Sequence, residues 1–254
     1  MKKKIFYIFA HQDDEFGIFI QLKKEIKKNE IYIFYLTSGT DKKISKNKLY
    51  LRDKESIKSL TTLGVKKENI FFIGRKLGIS HNKLYLNAKK VSVFLENFIL
   101  KFHKPNSIYT HSWEGGHEDH DTCNLITRRI KKKFKIKNCF QFSLYNSYNT
   151  SIFFFKVFNP IQSKYGKKVY APILDRIYFI KLLFNYTSQI KIWIGLYPFV
   201  IFHYLIKGYN FIEKLNSSLV IEKPHKGKLL YEKRNFCKFK VLKKRTIFLL
   251  NNLK

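Results

Sequence analysis

Apolar positions in the first half of the chain alternate between two patterns, short continuous runs and longer stretches with helical spacing. Ile5-Phe6-Tyr7-Ile8-Phe9-Ala10 is one such run, bounded by lysines before it and acidic residues after it, and reads as a strand buried on both faces. Residues 16–28 place Phe19, Leu22 and Ile26 on one side with lysines opposite, an amphipathic helix. Residues 31–36 form a second buried strand, residues 49–63 a helix ended by Gly64, and residues 70–73 a short third strand. Val91, Phe94, Leu95, Phe98 and Phe102 mark another helix, stopped before Pro105, and residues 107–110 and 139–145 complete the strands. This alternation predicts an α/β fold built on a doubly wound, mostly parallel sheet. The chain has no internal repeat, and no glycine-rich phosphate loop follows the first strand, which disfavours a dinucleotide enzyme.

The pattern changes after about Ser147, where the sequence becomes strongly aromatic. Residues 1–146 are expected to form the α/β core and residues 147–254 an extension packing on the same domain. Residues 192–206 are nearly all apolar but are interrupted by Gly195, Pro198 and His203. Crossing a bilayer takes about 20 residues, so this stretch is too short and too broken to span one. A core helix, a dimer contact and an interfacial helix set against anionic lipid by Lys207 and its basic neighbours all remain open. Residues 224–232 read as an ordered loop and strand closing over one side of the sheet, with His225 a candidate substrate contact.

Two clusters carry the chemistry. His11-Gln12-Asp13-Asp14-Glu15 directly follows the first strand, where ligands bind in open α/β sheets, and Gly115-Gly116-His117-Glu118-Asp119-His120 follows the strand at residues 107–110. A catalytic zinc takes three protein ligands from imidazole and carboxylate and leaves a fourth position open; His11, Asp14 and His120 meet that need. Asp13 is then free to act as general base. His117 and His120, three apart at the start of a helix, approach one site from the same side, and Asp119 is the nearest carboxylate partner for an acidic His117. Arg52 with Glu55 reads equally as a solvated helix pair or a substrate contact, and Trp113 with Glu114 as a sugar contact or a loop anchor. Cys123 reads as a small buried hydrophobe.

With Ala10-His11-Gln12-Asp13-Asp14-Glu15 paired to a later Gly116-His117-Glu118-Asp119-His120, the chain resembles the PIG-L/LmbE family of zinc-dependent N-acetyl-amino-sugar deacetylases. The resemblance spans residues 4–190, extending less specifically to Leu36-Thr37-Ser38-Gly39, Arg52 with Glu55, Leu63-Gly64 and Tyr186-Thr187-Ser188-Gln189. Relatives usually carry proline where Gln12 and Glu118 stand, often histidine at the place of Tyr186, and often an acidic residue where Gly74-Arg75-Lys76-Leu77-Gly78 lies. The resemblance implies an LmbE-like, Rossmann-like sheet and one zinc held by His11, Asp14 and His120. It further implies Asp13 as base and His117 as the group that stabilises or protonates the transition state. The implied reaction is hydrolysis of the N-acetyl group of an amino sugar, and a saccharide or glycolipid precursor of the cell envelope is the expected substrate. Iron in place of zinc also fits the ligands. The alternative is a non-catalytic sugar- or lipid-binding protein that retains the fold, and the presence of every ligand and the base speaks against it.

Composition narrows the rest. A chain of 254 residues with 45% hydrophobic content can bury one substantial core. A formal charge of +32 would ordinarily point to nucleic acid or an anionic surface, but the lysines are scattered over every element of an Ile-, Asn- and Phe-rich sequence, so no nucleic-acid partner is expected. Expected partners are an N-acetylated saccharide, a peripheral membrane contact and a second copy of the chain. Cys123, Cys139 and Cys237 form neither a paired framework nor a Cys-x-x-Cys motif, which places the chain in a reducing compartment, cytoplasmic or at the inner face of the membrane. Met1-Lys2-Lys3-Lys4 followed by apolar residues mimics a signal peptide, but the apolar run is too short and serves better as a strand.

Overall fold

The computed structural model describes residues 2–40, 46–102, 104–150, 155–161, 166–189, 194–216 and 221–251. Five strands, β1 (Lys4–Phe9), β2 (Glu30–Tyr35), β3 (Ile70–Phe72), β4 (Ser107–His111) and β5 (Asn138–Phe142), pair in parallel in the order β3-β2-β1-β4-β5. The short strands β6 (Tyr145–Asn146) and β7 (Lys156–Val157) form a separate antiparallel pair. Strands β8 (Lys167–Tyr170) and β9 (Tyr209–Lys214) extend the main sheet past β5 in antiparallel sense, giving seven strands in all. The aromatic second half of the chain thus contributes two strands to the sheet of the first half.

The continuous apolar runs have a direct structural reason. Successive side chains on a strand point to opposite faces. On β1, Ile5, Tyr7 and Phe9 therefore join one core, with Phe19 and Leu22 of α1 (Phe19–Ile26), Leu60 of α2 (Lys46–Leu63) and residues of the aromatic C-terminal part. Phe6, Ile8 and Ala10 enter the other core, whose helical partners are α4 (Ala88–Phe102) and α5 (Glu118–Lys133); the short α3 (Ile73–Leu77) precedes them. A strand covered on both faces tolerates no polar alternation, which is why its sequence is apolar throughout.

The structure departs from the expected elements in four places. The first helix begins as a tight 3-10 turn over Asp14–Ile18 before α1 starts. The expected strand at residues 139–145 stops at Phe142, because the Leu144 amide turns aside to donate to the Glu114 side chain. The strand expected within residues 224–232 is absent: Leu230–Lys233 is a helical turn whose start is tied by the Leu229 amide donating to Glu232 Oε2 at 2.9 Å. Within residues 192–206, Ile192 and Trp193 lie outside the described residues, and a helix over Tyr197–Phe202 runs into a wide π-type turn over His203–Lys207. Among the described residues no helix is long and apolar enough to cross a membrane.

Candidate metal centre

The strand order reverses between β1 and β4, which lie side by side with β2 on one flank and β5 on the other. In an open α/β sheet the crevice beyond the C-terminal ends of the strands at such a point is where ligands bind. His11 leaves the end of β1, His111 is the last residue of β4, and His120 sits in the first turn of α5 just beyond β4. Gly116 lets this turn pass close under the β6 segment; a Cβ there would collide with the carbonyl oxygen of Tyr145.

Three buried donors converge. His120 Nε2 lies 3.3 Å from His11 Nδ1 and 3.2 Å from Asp14 Oδ1, and His11 Nδ1 lies 3.6 Å from Asp14 Oδ2. Ligand atoms arranged tetrahedrally at the usual zinc distances of about 2.0–2.1 Å stand roughly 3.3–3.4 Å apart, so the spacing fits one such ion. The ring orientations fit as well. His11 Nε2 contacts Asp119 Oδ2 at 3.0 Å, which places the proton on Nε2 and turns the Nδ1 lone pair toward His120. His120 is held against His111, the rings parallel with centroids 4.0 Å apart.

The electrostatics ask for positive charge at the same point. Burial opposes ionisation of Asp14, yet the rings of His120, His111 and His11 hold it well below the usual carboxylate range. Burial opposes the imidazolium of His11, but Asp14 and Asp119 outweigh it and push the ring up to about 10. His120, desolvated and next to His111, is pushed down to about 4 despite Asp14. With protein groups alone a proton on His11 must balance Asp14. A divalent cation does so while using the neutral form of both rings.

Asp13 stands beside this group with φ of 111°, a left-handed conformation that is costly for a non-glycine residue and concentrates at functional positions. Its side chain caps no helix; its ionic neighbour is Arg52, whose Nη2 lies 3.5 Å from Asp13 Oδ1. Burial raises the Asp13 carboxyl to about 7, with Arg52 pulling it down and Asp14 pushing it up. Arg52 is buried and also donates to the carbonyls of Gly39 at 2.7 Å and Gln12 at 2.6 Å, so it clamps the loops after β2 and β1 together.

His117 is the N-cap of α5. Its Nδ1 accepts the Asp119 amide at 3.1 Å, so the neutral ring carries its proton on Nε2. That nitrogen meets His81 Nε2 at 3.0 Å, and burial together with the nearby His11 keeps His117 well below the ordinary histidine range. The carboxylate expected beside His117 is turned elsewhere: Asp119 faces His11 and accepts the amides of Asn82 at 2.7 Å and Leu84 at 3.0 Å, clipping the loop that carries His81 onto α5. Asp119 pairs with His11 rather than with His117.

A small cavity reaches His11, Asp13, Asp14, Arg52, His81 and His117, walled by Phe16, Leu144, Tyr145, Gln189 and Leu196. Arg52 therefore lies at the cavity expected for it, whereas Trp113 and His225 do not. The Trp113 indole donates to the Glu222 carbonyl at 2.9 Å and lines a different depression with Arg128, and His225 packs near Tyr148. Both residues stand close to glycines in sequence, but the fold turns their loops away from the cavity. Glu55 accepts from the Thr187 and Ser188 hydroxyls and the Ser188 amide and so binds α2 to the segment leading to Gln189. Tyr186 donates to Glu15 at 2.6 Å, and Glu15 in turn accepts the Asp13 amide at 3.1 Å, which holds the strained turn from below. Cys123 is fully buried.

Sequence reasoning passes over His81 and His111. His111 carries a usable signal, a polar residue at the C-terminal end of a buried strand; His81, a single histidine in a loop, carries none. Glu114, read as a sugar contact or a loop anchor, is an anchor: it is buried and accepts from Ser143 Oγ (2.5 Å), the Leu144 and Tyr145 amides (2.7 and 3.1 Å) and Asn146 Nδ2 (3.1 Å). Glu114→Ala strands these buried donors, and with each unpaired group costing about 1–3 kcal/mol the loss is expected at about 3–5 kcal/mol. Thermal unfolding should show a melting temperature lowered by roughly 10 °C.

Residues 6–131 match the family described as PIG-L, GlcNAc-PI de-N-acetylase. No characterised protein matches the chain in sequence at a significant level. Among solved structures, the fold is similar to a triple mutant of a deacetylase involved in the teicoplanin biosynthetic pathway (TM-score 0.63, 14% identity, covering 84% of this chain and 97% of that one). It is also similar to N,N′-diacetylchitobiose deacetylase from Pyrococcus horikoshii (TM-score 0.58, 20% identity, 85% and 83% covered). A third likeness is to the 4-carboxy-2-hydroxymuconate hydratase GalB of Pseudomonas putida (TM-score 0.52, 12% identity, 87% and 98% covered). The fold thus serves more than one reaction, and the reaction has to be argued from the site.

Proposed function

The chain belongs to the PIG-L family, and from that premise we propose that it is a zinc-dependent N-deacetylase that removes the acetyl group from an N-acetylated amino sugar, a saccharide or glycolipid precursor of the cell envelope. The observation that carries the reading is the placement of Asp13, held by Arg52 and spared from capping, next to three convergent donors from two separate segments. His11, Asp14 and His120 would hold the ion, and zinc bound there supplies a Lewis acid that acidifies water and polarises an amide carbonyl.

The chain's own groups account for the proton traffic. The Asp13 carboxylate takes a proton from the attacking water as the oxygen adds to the acetamide carbon. When substrate enters, His117 exchanges the Nε2 hydrogen bond it makes to His81 for one to the oxygen on which negative charge develops, and the Asp119 amide fixes that tautomer in advance. As the C–N bond breaks, Asp13 returns the proton to the leaving nitrogen, so acetate and a free amine leave together. Phe16, Leu144 and Leu196 restrict bulk water, which strengthens each of these interactions.

The test is acetate release, with zinc supplied, from a panel of free, nucleotide-linked and lipid-linked N-acetylhexosamines. At least one is expected to yield acetate and amine in equal amounts. Binding of a saccharide without acetate release would instead support the non-catalytic sugar- or lipid-binding reading.

A further inference from the structure

We infer that the face formed by α6 (Ile173–Leu183) and the segment from Ile194 to Lys207 is a docking surface for an anionic bilayer, set at the rim of the metal cavity. A surface helix ordinarily turns polar side chains outward. On α6 the outward row is Ile173, Leu174 and Ile177, continued past the helix end by Phe184, with Lys181 the one charge among them. The opposite side of the helix, Phe179, Leu182 and Leu183, fills the core, so the helix is apolar all round without being buried all round.

The neighbouring segment repeats the pattern. Phe199, Phe202, Leu205 and Ile206 recur at helical spacing and face outward, as does Ile194 before them; Leu174, Ile194 and Ile206 are 77%, 74% and 66% exposed. The two rows lie side by side: Arg176 of α6 donates to the Leu205 carbonyl, Tyr197 donates to the Leu183 carbonyl, and the Phe184 and Tyr197 rings are 6.0 Å apart. Together they make one apolar face of protruding side chains on short helices, a shape that enters a lipid interface more readily than it accepts a peptide or a groove-filling side chain.

Charge selects the partner. Among the described residues between 166 and 207, Lys167, Lys168, Arg176, Lys181 and Lys207 stand against a single acid, Asp175, which is paired with Lys23 at 2.8 Å. A cationic rim around an apolar face matches anionic head groups above acyl chains. The position of the face adds a consequence: Leu196, which precedes the helix Tyr197–Phe202, and Gln189 both line the cavity that holds His11 and Asp13. A saccharide anchored in the bilayer would meet the site without leaving its lipid. The docking surface stands independently of the deacetylase reading; only this corollary about a lipid-linked substrate rests on it.

The experiment uses the full chain and sedimentation with vesicles of phosphatidylcholine alone or mixed with phosphatidylglycerol, at about 0.01 M and about 1 M salt, over which the screening length falls from about 30 Å to about 3 Å. Strong pelleting with anionic vesicles at low salt is expected, weakened at least tenfold on neutral vesicles or at high salt. The variant Leu174→Glu/Phe202→Glu, checked for an unchanged circular dichroism spectrum and melting temperature, is expected to lose at least tenfold in binding. A second variant, Lys181→Ser/Lys207→Ser, leaves the apolar face intact and should lose binding to anionic vesicles only. No binding at low salt, or binding unaffected by the glutamates, overturns the proposal. A concentration-dependent dimer in sedimentation equilibrium that the glutamates dissolve overturns it as well, by assigning the face to a second copy. Acetate release from a soluble N-acetylhexosamine, measured on the same variants, separates failure of docking from failure of the deacetylase reading.

Discussion

Asp13→Asn is expected to lower kcat by roughly two to four orders of magnitude while leaving metal content unchanged. The substitution keeps the size of the side chain and its place beside Arg52 but removes the group that accepts the proton from water. Since Asp13 is a base only when ionised, the parent rate should fall as pH drops through the region where its carboxyl titrates. Burial puts that region at about 7 for the protein groups alone, and a divalent cation alongside moves it lower, so the acid limb belongs at or below about pH 7. The Asn variant should lack this limb altogether. A pH profile of kcat/KM for both forms checks the sign and the assignment in one series; near-normal turnover in the variant would remove Asp13 from the mechanism.

His120→Ala should abolish stoichiometric metal binding and turnover together, because it deletes one of three donors. Asp119→Asn should act through His11 instead. It weakens the 3.0 Å contact that sets the His11 tautomer, and loss of such an outer partner typically costs about 10–100-fold in metal affinity. A competition titration with a chromophoric chelator separates the two outcomes. Equal losses in both variants would mean that Asp119 is itself a ligand, and no loss in His120→Ala would mean that the ion sits with other donors. His81, His117, Asp119 and His11 form the other grouping close enough to be such a set, and the spacing of His117 and His81 is already accounted for by a hydrogen bond whose tautomer leaves no lone pair on His117 Nε2.

The parts of this molecule that are legible in its sequence are those governed by local rules. The strands β1 and β2 are mostly apolar because both faces are covered, and the acidic and histidine clusters follow the ends of β1 and β4, so the strand ends announce the site. The doubly wound, mostly parallel sheet follows from the same alternation. The illegible parts depend on contacts across the chain. Nothing near Asp119 in sequence reveals that it serves His11, 108 positions away. Arg52 looks like half of a helix ion pair with Glu55, yet the fold sends its guanidinium to Gly39, Gln12 and Asp13 and sends Glu55 to Thr187 and Ser188. Trp113 and His225 carry the right chemistry for sugar contacts, and only the direction of their loops removes them from the cavity. The aromatic C-terminal part is ambiguous for a different reason: β8 is only four residues long, β9 mixes polar and apolar positions without alternation, and the outward face of α6 is apolar where a helical pattern ordinarily predicts polar residues.

The most direct test of the central claim measures zinc content and acetate release on the same samples. Protein purified without added metal should contain close to one zinc per chain, lose acetate release when a chelator removes it, and regain the rate with one equivalent of zinc, while His120→Ala regains neither zinc nor rate. Full acetate release from metal-free protein, or full zinc retention in His120→Ala, would contradict the assignment of His11, Asp14 and His120 as the ligands of a catalytic zinc.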